Sequence, residues 1–97
     1  MPYARRTDKH HQEIRDSLRE VLPWVIDTHD LGDGFPDLLV FTRGGRFFLI
    51  EIKTPGETYS PAEVKFHKRA EQVKAPVFTI FSLDEALALL KVMGEIV

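Results

Sequence analysis

Three charged residues stand where this chain is most hydrophobic. Asp37 opens the apolar run Leu38-Leu39-Val40-Phe41, and Glu51 and Lys53 close the run Phe47-Phe48-Leu49-Ile50-Glu51-Ile52-Lys53. An unpaired carboxylate withdrawn from water is costly. Two carboxylates and an ammonium placed together offset part of that cost, and a bound divalent cation offsets more. Carboxylate oxygens completed by water and a substrate phosphate are a donor set that Mg²⁺ accepts. A cation held there would polarise a phosphodiester and lower the pKa of a bound water. A neighbouring ammonium would hold that water or stabilise the charge that develops on phosphorus. Metal-assisted phosphodiester hydrolysis is therefore the chemistry these residue types allow. The competing reading is a salt bridge at a strand end, where the side chains still reach water.

The elements around these residues must bring them together. Gly44-Gly45 lies between the two apolar runs and supplies the positive φ of a tight hairpin, which pairs residues whose numbers sum to roughly 88–90. Asp37 then lies across from Glu51 or its neighbour. Side-chain alternation puts Phe47, Leu49, Glu51 and Lys53 on one face and Phe48, Ile50 and Ile52 on the other. Before the hairpin, residues 1–6 read as a loose arm. A helix is expected from Thr7, with Ile14, Leu18, Val21 and Leu22 as its apolar stripe and Pro23 as its stop. Residues 24–29 read as a strand, Gly32-Asp33-Gly34 as a break, and 37–42 and 46–53 as the hairpin strands.

After the hairpin, Ser60-Pro61-Ala62-Glu63 combines a capping serine, a proline suited to the first helical position and a glutamate able to close a capping box. The helix it starts runs to Val73, with Ala62, Phe66, Ala70 and Val73 inward. A strand over 77–81 follows. Ser82-Leu83-Asp84-Glu85 reads as a second capping box and opens a last helix whose stripe is Leu83, Ala86, Leu87 and Leu90, ended by Gly94. The order α-β-β-β-α-β-α predicts an α/β fold: a mixed central sheet flanked by helices on both faces, with a C-terminal helix.

A length of 97 residues suits one domain over 1–97, and 43% hydrophobic residues suffice for a modest core. The chain has no cysteine, which excludes a disulfide framework and a cysteine zinc site. It has no apolar stretch of about 18 residues, so no membrane partner is expected. MPYARRTDKHH lacks the apolar core of a signal peptide, and a cytoplasmic location is expected. The net charge of −2 is not that of a stoichiometric DNA coater. It leaves room for a nucleic-acid enzyme, since basic residues cluster at Arg5, Arg6 and Lys9 and again at Lys65, Lys68, Arg69 and Lys74. Arg43 and Arg46 flank the hairpin tip, as solvated turn residues or phosphate contacts. No P-loop, GxSxG, HExxH or dinucleotide fingerprint occurs, so no small-molecule cofactor is expected.

Pro36-Asp37 followed by Glu51-Ile52-Lys53 resembles the signature of the PD-(D/E)XK nuclease superfamily. More narrowly, the chain is similar to the small stand-alone VRR-NUC domains of phages and prophages. The likeness runs through Arg6-Thr7-Asp8, Glu13-Ile14, Leu18-Arg19, Gly32-x-Gly34-Phe35-Pro36-Asp37-Leu38-Leu39-Val40, Leu49-Ile50-Glu51-Ile52-Lys53, Ser60-Pro61-Ala62-Glu63, Phe66-His67 and Asp84-Glu85-Ala86-Leu87. It implies a restriction-endonuclease-like αβββαβ core. It also implies Asp37 and Glu51 as metal ligands, the backbone carbonyl of Ile52 as a third, and Lys53 as the catalytic lysine. The implied activity is Mg²⁺- or Mn²⁺-dependent endonuclease cleavage of DNA, including branched DNA such as Holliday junctions, by a homodimer in a bacterial or phage-infected cell. A dimer would also enlarge the small surface that 97 residues offer a duplex.

Two positions depart from the family pattern. Many relatives carry glutamine in the helix after the Glu-x-Lys strand, where this chain has Glu63. An acid there would bind metal or orient water, although the capping box explains it as well. Relatives also place a polar or acidic residue on the first helix near the site. Glu13 lies about 100° from Ile14 on the helical wheel, whereas His11 lies about 60° away, on the side of the apolar stripe, with Asp8 one turn earlier. His11 is therefore a weak candidate for the site, with a solvated histidine as the alternative. Glu63 and His67, four apart, share a helix face, as a pair supporting the site or an exposed pair.

The rival to an enzyme is a non-catalytic nucleic-acid or protein-binding module on the same fold. A third reading, a structural protein with plain salt bridges, predicts that Asp37→Ala destabilises the fold. The enzyme reading predicts the opposite, through relief of repulsion between Asp37 and Glu51.

Overall fold

The computed structural model describes residues 2–97, with residues 2–8 described by their backbone alone. Helix α1, Pro2–Val21, begins earlier than the expected Thr7, so residues 2–6 are helical where an arm was anticipated. The side chains of Arg5, Arg6 and Asp8 lie outside the described residues. Ile14, Leu18 and Leu22 form the buried stripe of α1, with Val21 packed at its margin.

Strand β1, Trp24–Asp27, ends two residues before the expected limit. Asp27 is the reason: its Oδ1 accepts a hydrogen bond from the His29 amide at 3.0 Å, a local turn that competes with the ladder. His29–Leu31 then form a 3₁₀ turn.

Strands β2, Leu38–Phe41, and β3, Phe47–Ile52, make the hairpin. Its pairs, Leu38 with Ile50 through Phe41 with Phe47, sum to the anticipated 88. Gly45 takes φ +81° at the tip. The ladder continues past the assigned strand end, because the Asp37 amide donates to the Ile50 carbonyl at 2.9 Å. Arg43 and Arg46 do not project as a pair from the tip. Arg43 donates to the Val21 carbonyl, and Arg46 to the Met93 carbonyl and the Glu95 carboxylate, so both fasten the hairpin to neighbouring chain.

Helix α2, Pro61–Val73, carries the full capping box: the Ser60 side chain accepts from the Glu63 amide, and Glu63 accepts from the Ser60 amide. Strand β4, Val77–Ile80, lies parallel to β3. Helix α3, Leu83–Val92, is capped by Ser82, whose side chain accepts from the Glu85 amide. Glu85 itself reaches the Phe81 amide rather than closing the box on Ser82.

The sheet order is β1-β2-β3-β4, antiparallel but for the last pair. One face of the sheet meets α1 and α3 in the core of Ile14, Leu18, Leu22, Leu38, Val40, Phe48, Ile50, Ile52, Ile80, Ala86 and Leu90. Helix α2 covers part of the other face. Its expected apolar stripe is mostly not buried: Ala70 is, Phe66 is half-buried, and Ala62 and Val73 are exposed. Phe66 packs edge-on against Phe35, and the helix is further held by a hydrogen bond between Glu63 and Lys53, described below, and by one close backbone approach. A Cβ built on Gly34, at φ +75°, would stand 2.3 Å from the Ala62 carbonyl oxygen. Gly34→Ala combines a left-handed backbone with a clash against a helix end, and is expected to cost about 2 kcal/mol or more. A urea unfolding curve measures this.

Candidate active site

The chain around Asp37 is fixed before its carboxylate makes any contact. Thr28 binds it twice: its amide donates to the Asp37 carbonyl at 2.8 Å, and its hydroxyl donates to the Pro36 carbonyl at 2.7 Å. The Asp37 carboxylate then turns back onto β3, where Oδ2 accepts the Ile52 amide at 2.7 Å. Oδ1 lies 2.9 Å from His29 Nδ1, and since a carboxylate only accepts, that nitrogen carries the proton. The contact raises the His29 pKa above its ordinary value, against the opposing effect of burial.

Glu51 lies one position before Ile52 on β3 and pairs with Thr79 of β4. It is 2% exposed, and its Oε1 has no hydrogen-bond partner among the described residues. Its pKa is pushed up to about 9, first by burial, then by the neighbouring Asp37 and, more weakly, Glu63; Lys53 opposes this but does not prevail. In the absence of a cation Glu51 therefore holds a proton at neutral pH. His67 Nε2 stands 3.7 Å from Glu51 Oε1, is also buried without a hydrogen-bond partner among the described residues, and has its pKa lowered by burial. Two uncharged groups at that spacing do not form a salt bridge.

Lys53 is buried to its amine. Its Nζ donates to Glu63 Oε1 at 2.7 Å, lies 3.9 Å from Glu57 Oε2 and sits 5.7 Å from the Tyr59 ring. Burial alone would lower the Lys53 pKa, but Glu63, Glu51 and Glu57 together outweigh it and the net shift is upward. Glu63 is held below its ordinary range, because the hydrogen bonds from Lys53 and Ser60 outweigh its burial. The capping-box explanation of Glu63 is realised, and the same oxygen reaches the lysine: Oε1 accepts both the Ser60 amide, at 2.8 Å, and the Lys53 amine.

His11 extends from α1 to within 4.0 Å of Asp37 Oδ1 through Nδ1, while its Nε2 lies 3.1 Å from Asp27 Oδ2. Asp27 is also bound by Arg15 Nη1 at 2.9 Å and by the His29 amide. Although burial alone would raise its pKa, these bonds lower it to about 2. His10, the neighbour of His11, donates through Nε2 to the Lys53 carbonyl at 3.3 Å.

All five side chains singled out in the sequence, Asp37, Glu51, Lys53, Glu63 and His11, therefore gather at one end of the sheet. His29, Asp27 and His10 join them unforeseen. His29 had been assigned to a strand; the signal that would have found it is Asp27 two residues earlier, the pattern of a turn that ends a strand. Glu63 and His67, noted as a pair, meet the two charges of Glu-x-Lys one each: Glu63 binds Lys53 and His67 approaches Glu51.

Asp37→Ala has a different expected sign once these contacts are known. Removing the carboxylate leaves the Ile52 amide without its acceptor in a buried strand, and the variant is expected to be destabilised by about 1–3 kcal/mol in the absence of metal. Equilibrium urea denaturation reads this directly. The salt-bridge reading predicts the same sign, so that experiment no longer separates the two.

A four-stranded mixed sheet between α1 and α3 on one side and α2 on the other, with this cluster at one end, is a restriction-endonuclease-like fold. No protein-family model matches the chain, and no curated protein matches it. Among solved structures, a VRR-NUC domain superposes with a TM-score of 0.69 at 26% sequence identity, over 84% of this chain and 90% of that one. The likeness supports a nuclease-type domain similar to the VRR-NUC and PD-(D/E)XK domains. No helix of the described residues is long and apolar enough to cross a membrane.

Proposed function

We propose that this chain is a Mg²⁺- or Mn²⁺-dependent endonuclease that hydrolyses DNA phosphodiester bonds, with branched DNA such as a Holliday junction as its substrate and a homodimer as its working form. One observation carries the reading: Glu51, nearly fully buried beside Asp37, keeps a carboxylate oxygen without a partner among the described residues. Native proteins rarely leave such an atom unanswered unless a ligand or catalysis requires it. Two close carboxylates, one of them protonated for want of positive charge, fit a hard divalent cation. Asp37 and Glu51, with the Ile52 carbonyl, would hold it, and when bound it supplies the charge that polarises the scissile phosphate.

The remaining steps belong to the chain. The Lys53 amine stays charged and is aimed by Glu63, so that it can donate to the attacking water or to the charge developing on phosphorus. Asp37 is held in one orientation by the Ile52 amide and His29. His67 borders Glu51 from α2, and burial keeps it uncharged beside the carboxylate.

The test is cleavage of a labelled four-way junction beside linear duplex and single strand of the same sequence, with Mg²⁺, with Mn²⁺ and with EDTA. Metal-dependent cutting with preference for the junction supports the reading. Tight binding of DNA without cutting under either metal would favour a binding module on the same fold. Neither binding nor cutting would sink the nucleic-acid reading for this chain alone.

A further inference from the structure

Asp37 also belongs to a second donor set. His11 on α1, His29 on the 3₁₀ turn and Asp37 before β2 each bring one potential ligand atom to a place where all of these atoms lie within 4.8 Å of one another. His29 Nδ1 stands 2.9 Å and His11 Nδ1 4.0 Å from the same oxygen, Asp37 Oδ1. A cation bound at His29 Nδ1 takes the place of the proton that this nitrogen donates to Asp37, and that proton leaves the site. The orientation of His11 is the telling feature. Its Nε2 lies 3.1 Å from Asp27 Oδ2 and carries the proton of that bond, so Nδ1 is the ring nitrogen turned towards the carboxylate of Asp37. At 4.0 Å these two atoms are too far apart for a hydrogen bond, and one cation can bind both. A histidine that offers one nitrogen to such a place while the other donates to a carboxylate is the arrangement by which proteins orient metal-ligating imidazoles. Asp27 is in turn anchored by Arg15 and by the His29 amide.

We propose that His11, His29 and Asp37 form a binding site for a late first-row divalent cation such as Zn²⁺, with Asp27 as the residue that positions His11. Imidazole donors favour such ions over Mg²⁺, which takes oxygen ligands. Three protein ligands leave a fourth position of a tetrahedral ion open. The His29 side chain is 42% exposed, so the site is reached from solvent. The inference does not rest on the nuclease reading, since it concerns binding by the metal-free chain. Because Asp37 serves both donor sets, the site would compete with the Asp37 and Glu51 pair for that residue.

The experiment is titration of the chelator-stripped full chain with Zn²⁺ by calorimetry and with Co²⁺ by visible absorption. A single Zn²⁺ per chain is expected, with visible Co²⁺ bands that Zn²⁺ displaces. His29→Ala and His11→Gln should each weaken binding by at least about tenfold, and Asp27→Asn by about 10–100-fold. Glu51→Gln, which removes only the other carboxylate of the competing pair, should retain the Zn²⁺ binding that His29→Ala loses. His29 is exposed, so His29→Ala decides the matter if the buried His11 variant fails to fold, as thermal melting would reveal. The proposal is overturned if submillimolar Zn²⁺ does not bind, or if binding survives His29→Ala unchanged. Binding lost in Glu51→Gln but kept in His29→Ala would assign the ion to the carboxylate pair and overturn it equally.

Discussion

Lys53→Met is expected to lower metal-dependent DNA cleavage by about 10²–10³-fold, the effect of removing one preorganised donor to developing charge. Methionine is chosen over alanine because the Lys53 stem is buried and a truncation would mix lost packing with lost charge. Glu63 keeps the Ser60 amide as a partner when the amine is removed, so the first turn of α2 stays capped. The variant should accordingly fold, and its melting temperature should fall by no more than a few degrees. Single-turnover cleavage at saturating Mg²⁺, beside a circular dichroism melt, separates the two effects. Cleavage by Lys53→Met within a few-fold of the unaltered chain would remove Lys53 from the chemistry and return it to the role of a buried counter-ion for Glu63.

The second large effect is on stability rather than rate. Glu51→Gln should make the metal-free chain more stable, by an amount that grows with pH. Folding raises the Glu51 pKa from an ordinary carboxylate value to about 9, so between those values the folded state binds more protons than the unfolded one. Stability is then fullest below the unfolded pKa and falls as pH rises, by about 1.4 kcal/mol per pH unit, until the folded group also ionises. Glutamine keeps the shape and cannot ionise, so the variant escapes that decline. A divalent cation reverses the order, because only the carboxylate gains from binding it: at 100 times the dissociation constant the gain is about 2.7 kcal/mol. Urea unfolding at pH 5, 7 and 8, with and without Mg²⁺, measures both differences. A Glu51→Gln variant no more stable than the unaltered chain at pH 8 without metal would contradict the burial of an unanswered carboxylate.

The hairpin was legible because two short-range rules act together. A glycine pair at the turn sets the register, and the side-chain period of two then fixes which charges share a face. That is why Asp37, Glu51 and Lys53 could be brought together from spacing alone. The capping residues Ser60 and Ser82 were legible for the same reason, since a cap is settled within a few residues. The pattern of Ala62, Phe66, Ala70 and Val73 on helix α2 suggests a full apolar stripe, whereas only Phe66 and Ala70 pack inward, and the rest of the contact comes from the Glu63–Lys53 bond and the approach of Gly34 to Ala62. Such contacts join residues far apart in the chain and leave no periodic trace. His29 escaped notice likewise: its partner Asp37 is reached only after Asp27 has turned the chain out of β1.

The two bonds taken by Glu63 Oε1 give the site a mechanical property. The oxygen that caps α2 also orients the amine of Lys53, so the first turn of the helix and the aim of the lysine open or close as one unit. Whenever that turn frays, Lys53 loses its anchor, and whatever seats Lys53 against a substrate pulls on the end of the helix. Amide exchange at the start of α2 is thus a reporter, placed outside the chemistry, of how often the lysine is disarmed.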